Sequence, residues 1–218
     1  MLMKTAVTIL ACILYLLCAG VDLWSLRRGR RIANRIFKPL LMPLLLMIYI
    51  LSAKAFSWKV AAALFFGFLG DSFLLGSGIF YAFGLLSFLT GHIFYTLSFL
   101  ERTDLHAVPA VIWPVLLIGY LTVCILVCRQ LFPYVHGKAK PAVSFYIAAL
   151  LCMSASSCLC AVTAGEFFPA FAGSVLFVIS DSMIAFRYFK KRHGALSDVA
   201  IMATYIAAQT LIIYSFAG

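Results

Sequence analysis

Residues 79–100 read IFYAFGLLSFLTGHIFYTLSFL, twenty-two positions without an Asp, Glu, Lys or Arg. An α-helix rises about 1.5 Å per residue, so this run covers about 33 Å, enough for a hydrocarbon layer about 30 Å thick. It reads as a transmembrane helix, and seven further windows share its character: Ala6–Trp24, Leu40–Phe56, Val60–Leu75, Ala107–Leu131, Ala142–Val162, Phe168–Phe186 and Val199–Phe216. The second and third spans in chain order are short. The segments between windows hold at most about 15 residues, too few for a soluble domain. The expected architecture is an all-α polytopic transmembrane bundle of about eight helices, one transmembrane domain over residues 1–218.

Composition agrees. Of 218 residues, 65% are hydrophobic and 11% charged, with a mean hydropathy of +1.08. A soluble domain carries about 25% charged residues. The chain cannot cover its own surface with polar groups, so lipid must cover it.

The net charge of +10 is explained by topology rather than by nucleic acid. Counting alternate sides from the N-terminus, one side holds four basic residues: Lys4, Lys54, Lys59 and Arg102. The other holds thirteen, in the segments Arg27–Lys38, Arg129–Lys140 and Arg187–Arg192. Cytoplasmic loops carry the excess of Lys and Arg. Both termini are therefore expected to face away from the cytoplasm, in a bacterial inner membrane. The N-terminal run reads as the first span, not a cleaved signal. Leu17 precedes Cys18, where a lipoprotein signal needs a small residue. All seven cysteines fall inside spans, without a CxxC, and read as small hydrophobes.

Ionisable side chains are costly inside lipid, so each one within a span is a candidate for function. Asp71 (GFLGDSFLL) lies in the third span, Asp181 (VISDSMIA) in the seventh and His92 (LTGHIFY) in the fourth. Asp22 and Asp198 fall closer to span ends, within reach of solvent. Counted from the span ends, Asp71 and Asp181 sit roughly 6–8 Å below the basic side, Tyr205 roughly 10 Å and His92 roughly 20 Å. Gln209 shares the face of Tyr205, and Tyr81 and Tyr95 share the face of His92. The small neighbours Gly67, Gly70, Gly173, Ser180 and Ser182 suit close helix packing as well as a site. Lys38-Pro39 is expected to open the second helix, with Lys38 at headgroup level, either snorkelling or holding a lipid phosphate. An intramembrane zinc hydrolase needs about three protein ligands. His106, His136 and His193 all fall between spans, so neither metal nor cofactor is expected.

The segments IFKPLLMPLLLM, LFFGFLGDSFLL, FGLLSFLTGHIFYTLSF, GSVLFVISDSMIAFRYF and TYIAAQTLI occur in that order from Phe37 onward. In this they resemble the YhhN-like family of eight-helix membrane proteins, to which animal lysoplasmalogenases belong. The resemblance implies metal-free hydrolysis of the vinyl ether bond of lysoplasmalogens, releasing a fatty aldehyde and a glycerophospho-alcohol. It implies Asp71 and Asp181 as the catalytic acids. Lys38, Tyr81, His92, Tyr95, Ser180, Tyr205 and Gln209 are then expected around a lysophospholipid drawn from the membrane. Such chemistry asks for one carboxyl to protonate the β carbon and another to face the resulting oxocarbenium ion, as in glycosidases. The sequence leaves open which Asp takes which role. It does lead to the expectation that both face one cavity together with Tyr205. The alternative from another class is a carrier or lipid-binding protein that uses the acids for proton or cation coupling. Such sites favour the midplane and broken helices.

Overall fold

Inside a bilayer a helix satisfies all its own backbone groups, so the apolar windows should be helical almost throughout. A computed structural model describes residues 2–137, 139–190 and 194–218. Lys138, Lys191, Arg192 and His193, used in the charge and histidine readings above, lie outside the described residues. The helices are α1 (Leu2–Arg27), α2 (Arg31–Ser52), α3 (Trp58–Phe73), α4 (Ile79–Arg102), α5 (Ile112–Leu131), α6 (Ala139–Thr163), α7 (Phe168–Lys190) and α8 (Ala195–Ala217). Two short 3-10 turns, Phe132–Tyr134 and Gly165–Phe167, join α5 to α6 and α6 to α7. No strand occurs among the described residues.

Seven of these helices are long and apolar enough to cross a membrane, and the chain is an integral multi-pass membrane protein. The exception is α3. Its 16 residues rise about 24 Å, short of a full hydrocarbon crossing. It packs between α2 and α4, which cover what lipid would otherwise have to.

On the basic side α1, α2, α6, α7 and α8 overrun their apolar windows, because headgroups and water solvate charged side chains while the backbone stays helical. The largest case is α2, which begins at Arg31 rather than Leu40. Pro39 therefore does not open the helix; Pro39 and Pro43 both lie inside it. Transmembrane helices tolerate this where neighbouring groups satisfy the freed carbonyls. By contrast α5 starts at Ile112, five residues later than expected. Pro109 disfavours helix at the residue before it, and its carbonyl accepts from Ile112 N in a turn (2.9 Å).

Neighbours pack in the order α1, α2, α3, α4, α6, α7, α8, and α8 returns to α1 and α2. The Tyr15 hydroxyl meets Thr210 Oγ1 at 2.8 Å across the α1–α8 seam, closing a ring of seven helices. Gly173 lets α7 approach α8, since a Cβ there would stand 2.7 Å from the Ala208 carbonyl oxygen. α5 stands outside the ring against α6 and α7, with only 6% of its apolar stretch buried. Its Tyr120 hydroxyl meets Ser154 Oγ at 2.8 Å, and Ser154 and Ser157 both meet Ser174, tying α5, α6 and α7 together.

Candidate functional site

Five elements converge at the basic end of the ring: the end of α1, the start of α2, the α3–α4 turn, the end of α7 and the start of α8. Between them opens a basin of about 760 Å³, lined by Arg30, Arg35, Lys38, Arg187 and Asp198 among others. Arg187 Nη1 lies 2.6 Å from Asp198 Oδ1, and Arg30 stands over the Trp24 ring at 4.6 Å. With Arg187 paired to Asp198 and Lys38 to the carboxylate beneath it, Arg30 and Arg35 still leave the basin positive, suited to a phosphate, which Arg and Lys bind well.

Below the basin Lys38 turns inward. Its Nζ is 3.5 Å from Asp71 Oδ1, and the Tyr205 hydroxyl donates to Asp71 Oδ2 at 2.9 Å. Both carboxylate oxygens are thus engaged. Asp71 is 1% exposed and lines neither the basin nor the slot described next. Gly70 makes room beside it for the Phe88 ring, which would collide with any Cβ there at 2.7 Å.

The second acid has different company. Asp181 Oδ2 accepts from the Tyr146 hydroxyl and lies 3.2 Å from His92 Nε2, itself 3.2 Å from Tyr146 Oη. Asp181 Oδ1 takes no hydrogen bond among the described residues. Asp181 and Tyr146 border a slot of about 290 Å³ whose other walls are mostly apolar, from the first turns of α4 and α6, from α7 and from the end of α5. Slot and basin share Leu74, Tyr81 and Ile184, so they meet at a waist. There Tyr81 stacks on Tyr188, ring centroids 4.0 Å apart and planes within 6°.

The expected site residues thus fall into three groups. Lys38, Asp71 and Tyr205 form one, and His92 and Asp181 another, with Tyr81 at the waist. Tyr95 donates to Gln209 Oε1 at 2.7 Å, and Ser180 donates to the Ile201 carbonyl at 3.0 Å. Those two bonds tie α4 and α7 to α8, and Tyr95, Gln209 and Ser180 line neither cavity.

Three expectations need correction. Neither the basin nor the slot is lined by both carboxyls with Tyr205, as the expected single cavity would be. Phe177 bridges their groups instead, its ring nearly perpendicular to both Tyr205 (5.5 Å) and His92 (4.8 Å). His92 is not deeper than Asp181, since the two are in hydrogen-bond contact. α7 runs four residues beyond Phe186 to Lys190, which alone adds about 6 Å to the depth of Asp181. Asp22 is not within reach of solvent but fully buried, because α1 continues to Arg27 and α2 covers it. Asn34 Nδ2 donates to its Oδ1 at 2.7 Å, while its Oδ2 has no partner among the described residues.

Sequence reading missed Tyr146 and Asn34. Tyr146 is a neutral residue inside an apolar window, and Asn34 lies in what read as a loop. Neither carries a local signal of its partner.

Comparison with curated proteins and with solved structures gives no match. A model of the YhhN family matches residues 33–216, a span that holds both aspartate groups, the waist and all of the slot. The chain belongs to the YhhN family.

Proposed function

We propose that the protein is a lysoplasmalogenase-type hydrolase, cleaving the vinyl ether bond of lysoplasmalogens to a fatty aldehyde and a glycerophospho-alcohol. The observation that carries this reading is the unengaged Oδ1 of Asp181 beside an apolar slot that meets a basic basin. A single-chain lipid with a phosphate head matches that sequence of surfaces. The phosphate lies among Arg35, Lys38 and Arg187, the glycerol at the Tyr81 waist and the alkenyl chain in the slot. Membership of a family that includes animal lysoplasmalogenases supports the same substrate class.

The chemistry proceeds in balanced steps. Asp181 delivers a proton to the β carbon of the vinyl ether, leaving an oxocarbenium ion at the carbon bonded to oxygen. Water from the basin adds to that carbon and returns a proton to the Asp181 carboxylate. The hemiacetal then collapses, the C–O bond to glycerol breaks, and aldehyde and alcohol leave. Tyr146 and His92 hold Oδ2 and leave Oδ1 without a hydrogen bond among the described residues, free to carry the proton. Positioned acid–base transfer of this kind contributes about 10²–10⁴ in rate. Asp71 acts through Lys38, as a fixed counter-charge that holds the ammonium at the basin floor. The basic end is taken as cytoplasmic from the thirteen-to-four division of Lys and Arg. Reporters fused at 138–140 should then read as cytoplasmic and at Gly218 as external, and the opposite pattern would reverse the orientation.

The test is purified protein incubated with lysoplasmenyl and lysoacyl phospholipids of matched chain and headgroup. Aldehyde from the first and no fatty acid from the second is the expected result. Fatty acid release, or no product from either, contradicts the reading.

A further inference from the structure

The slot is not enclosed. On α4 its lining includes Ala82 and Leu86, four residues apart on one edge of the helix, and on α6 Ala142 and Phe145, three apart. All four are exposed on the lipid-facing surface, Leu86 at 56% and Phe145 at 60%. They form two lips of a cleft between the first three turns of α4 and α6. Both helices start at the basic end, so the cleft opens sideways into the leaflet on that side. At its inner end the Tyr146 hydroxyl meets His92, closing it beside Asp181. Apart from Tyr81, Tyr146, Asp181 and Ser182 its walls are apolar.

We infer that the α4–α6 cleft is a lateral port through which the hydrocarbon chain of one lipid passes from the leaflet to Asp181. The proposal rests on the hydrolase reading for the identity of that lipid, and on the cleft itself for the route. A mouth set in the hydrocarbon-facing surface meets alkyl chains, whereas water and phosphate reach the basin from the end of the bundle. Chain and head thus enter by separate openings that join at Tyr81. Leu86 and Phe145 border the mouth, so their size limits what enters.

The experiment uses the full chain in lipid nanodiscs and a lysophospholipid with a saturated alkyl ether chain ending in a diazirine. That probe has no vinyl ether and cannot be cleaved by the proposed reaction. Photolabelling mapped by mass spectrometry should concentrate on residues 82–89 and 142–150. Leu86→Trp, a substitution on the lipid-facing surface, should reduce it roughly fivefold or more by crowding the mouth. Leu117→Trp on the outer face of α5, where Leu117 is 62% exposed, should leave it unchanged. Label spread evenly over lipid-facing residues, or indifferent to Leu86→Trp, overturns the port. Port labelling without aldehyde release from alkenyl lipid overturns the hydrolase and leaves the port standing. Aldehyde release without port labelling overturns the port alone.

Discussion

Asp71 on α3 and Asp181 on α7 are both buried carboxyls of one helical ring, yet their surroundings differ at every contact. Asp71 has an ammonium on one oxygen and a phenol on the other, and lines neither the basin nor the slot. Asp181 has its partners crowded on one oxygen and presents the other beside an apolar slot. The first has the surroundings of a counter-charge to a basic side chain, and the second is the one proposed to exchange a proton. Two carboxyls of one residue type take two roles because their environments differ. Phe177, edge-on to the partner of each, keeps the groups apart while coupling their positions.

The comparison breaks first at Asp181. Asp181→Asn keeps shape and hydrogen bonds but cannot deliver and regain a proton, so kcat should fall at least about a hundredfold. The variant should remain folded and inserted by size-exclusion chromatography and circular dichroism. Near-wild-type turnover would remove Asp181 from the chemistry.

Asp71→Asn should act differently. It strips Lys38 of its buried counter-charge, so KM should rise about tenfold with a smaller change in kcat, and stability should drop by about 3 kcal/mol, the low end for breaking a buried pair. Replacing both partners, Lys38→Met with Asp71→Leu, should recover much of that stability but not KM, since pairing and phosphate binding are separable. A kcat loss in Asp71→Asn equal to that of Asp181→Asn would erase the distinction between the two acids.

Tyr146→Phe removes one of the two donors that hold Asp181, and kcat should fall about tenfold, the worth of a hydrogen bond to a charged group. Smallest is Tyr188→Ala, which frees Tyr81 at the waist. The loss of one aromatic stack, about 1 kcal/mol, should raise KM a few-fold and leave kcat alone. Steady-state kinetics on one alkenyl substrate reads both.

The two acids were legible in the sequence because a carboxyl inside an apolar window is rare and costly. The shared level of Asp71 and Tyr205 was legible too, since both counts started from nearby helix ends. Asp181 was placed too shallow relative to His92 because hydropathy marks where apolar residues stop, not where the helix does, and α7 runs on through Arg187 to Lys190. Tilt and offset between helices add to that error, and a residue count records neither. Asp22 was misread for the same reason: it lies near the edge of an apolar window yet five residues inside its helix. Tyr146 stayed hidden because a phenol in an apolar helix acquires meaning only from the acid opposite it. The facing of both carboxyls across one cavity was an inference from matched depth, the cost of burial and the two-carboxyl demand of the chemistry. Matched depth does not fix which way a side chain points around the ring.

The central claim is that a carboxyl beside the slot protonates carbon, and hydrolysis of an alkenyl lysophospholipid in heavy water tests it most directly. The aldehyde is reduced to its alcohol as it forms, before exchange at carbon 2, and analysed by mass spectrometry. The account predicts a single deuterium at carbon 2, the former β carbon of the vinyl ether, with its formation lost in Asp181→Asn. Aldehyde free of deuterium at that carbon, or labelled product formed at the wild-type rate by Asp181→Asn, would contradict it.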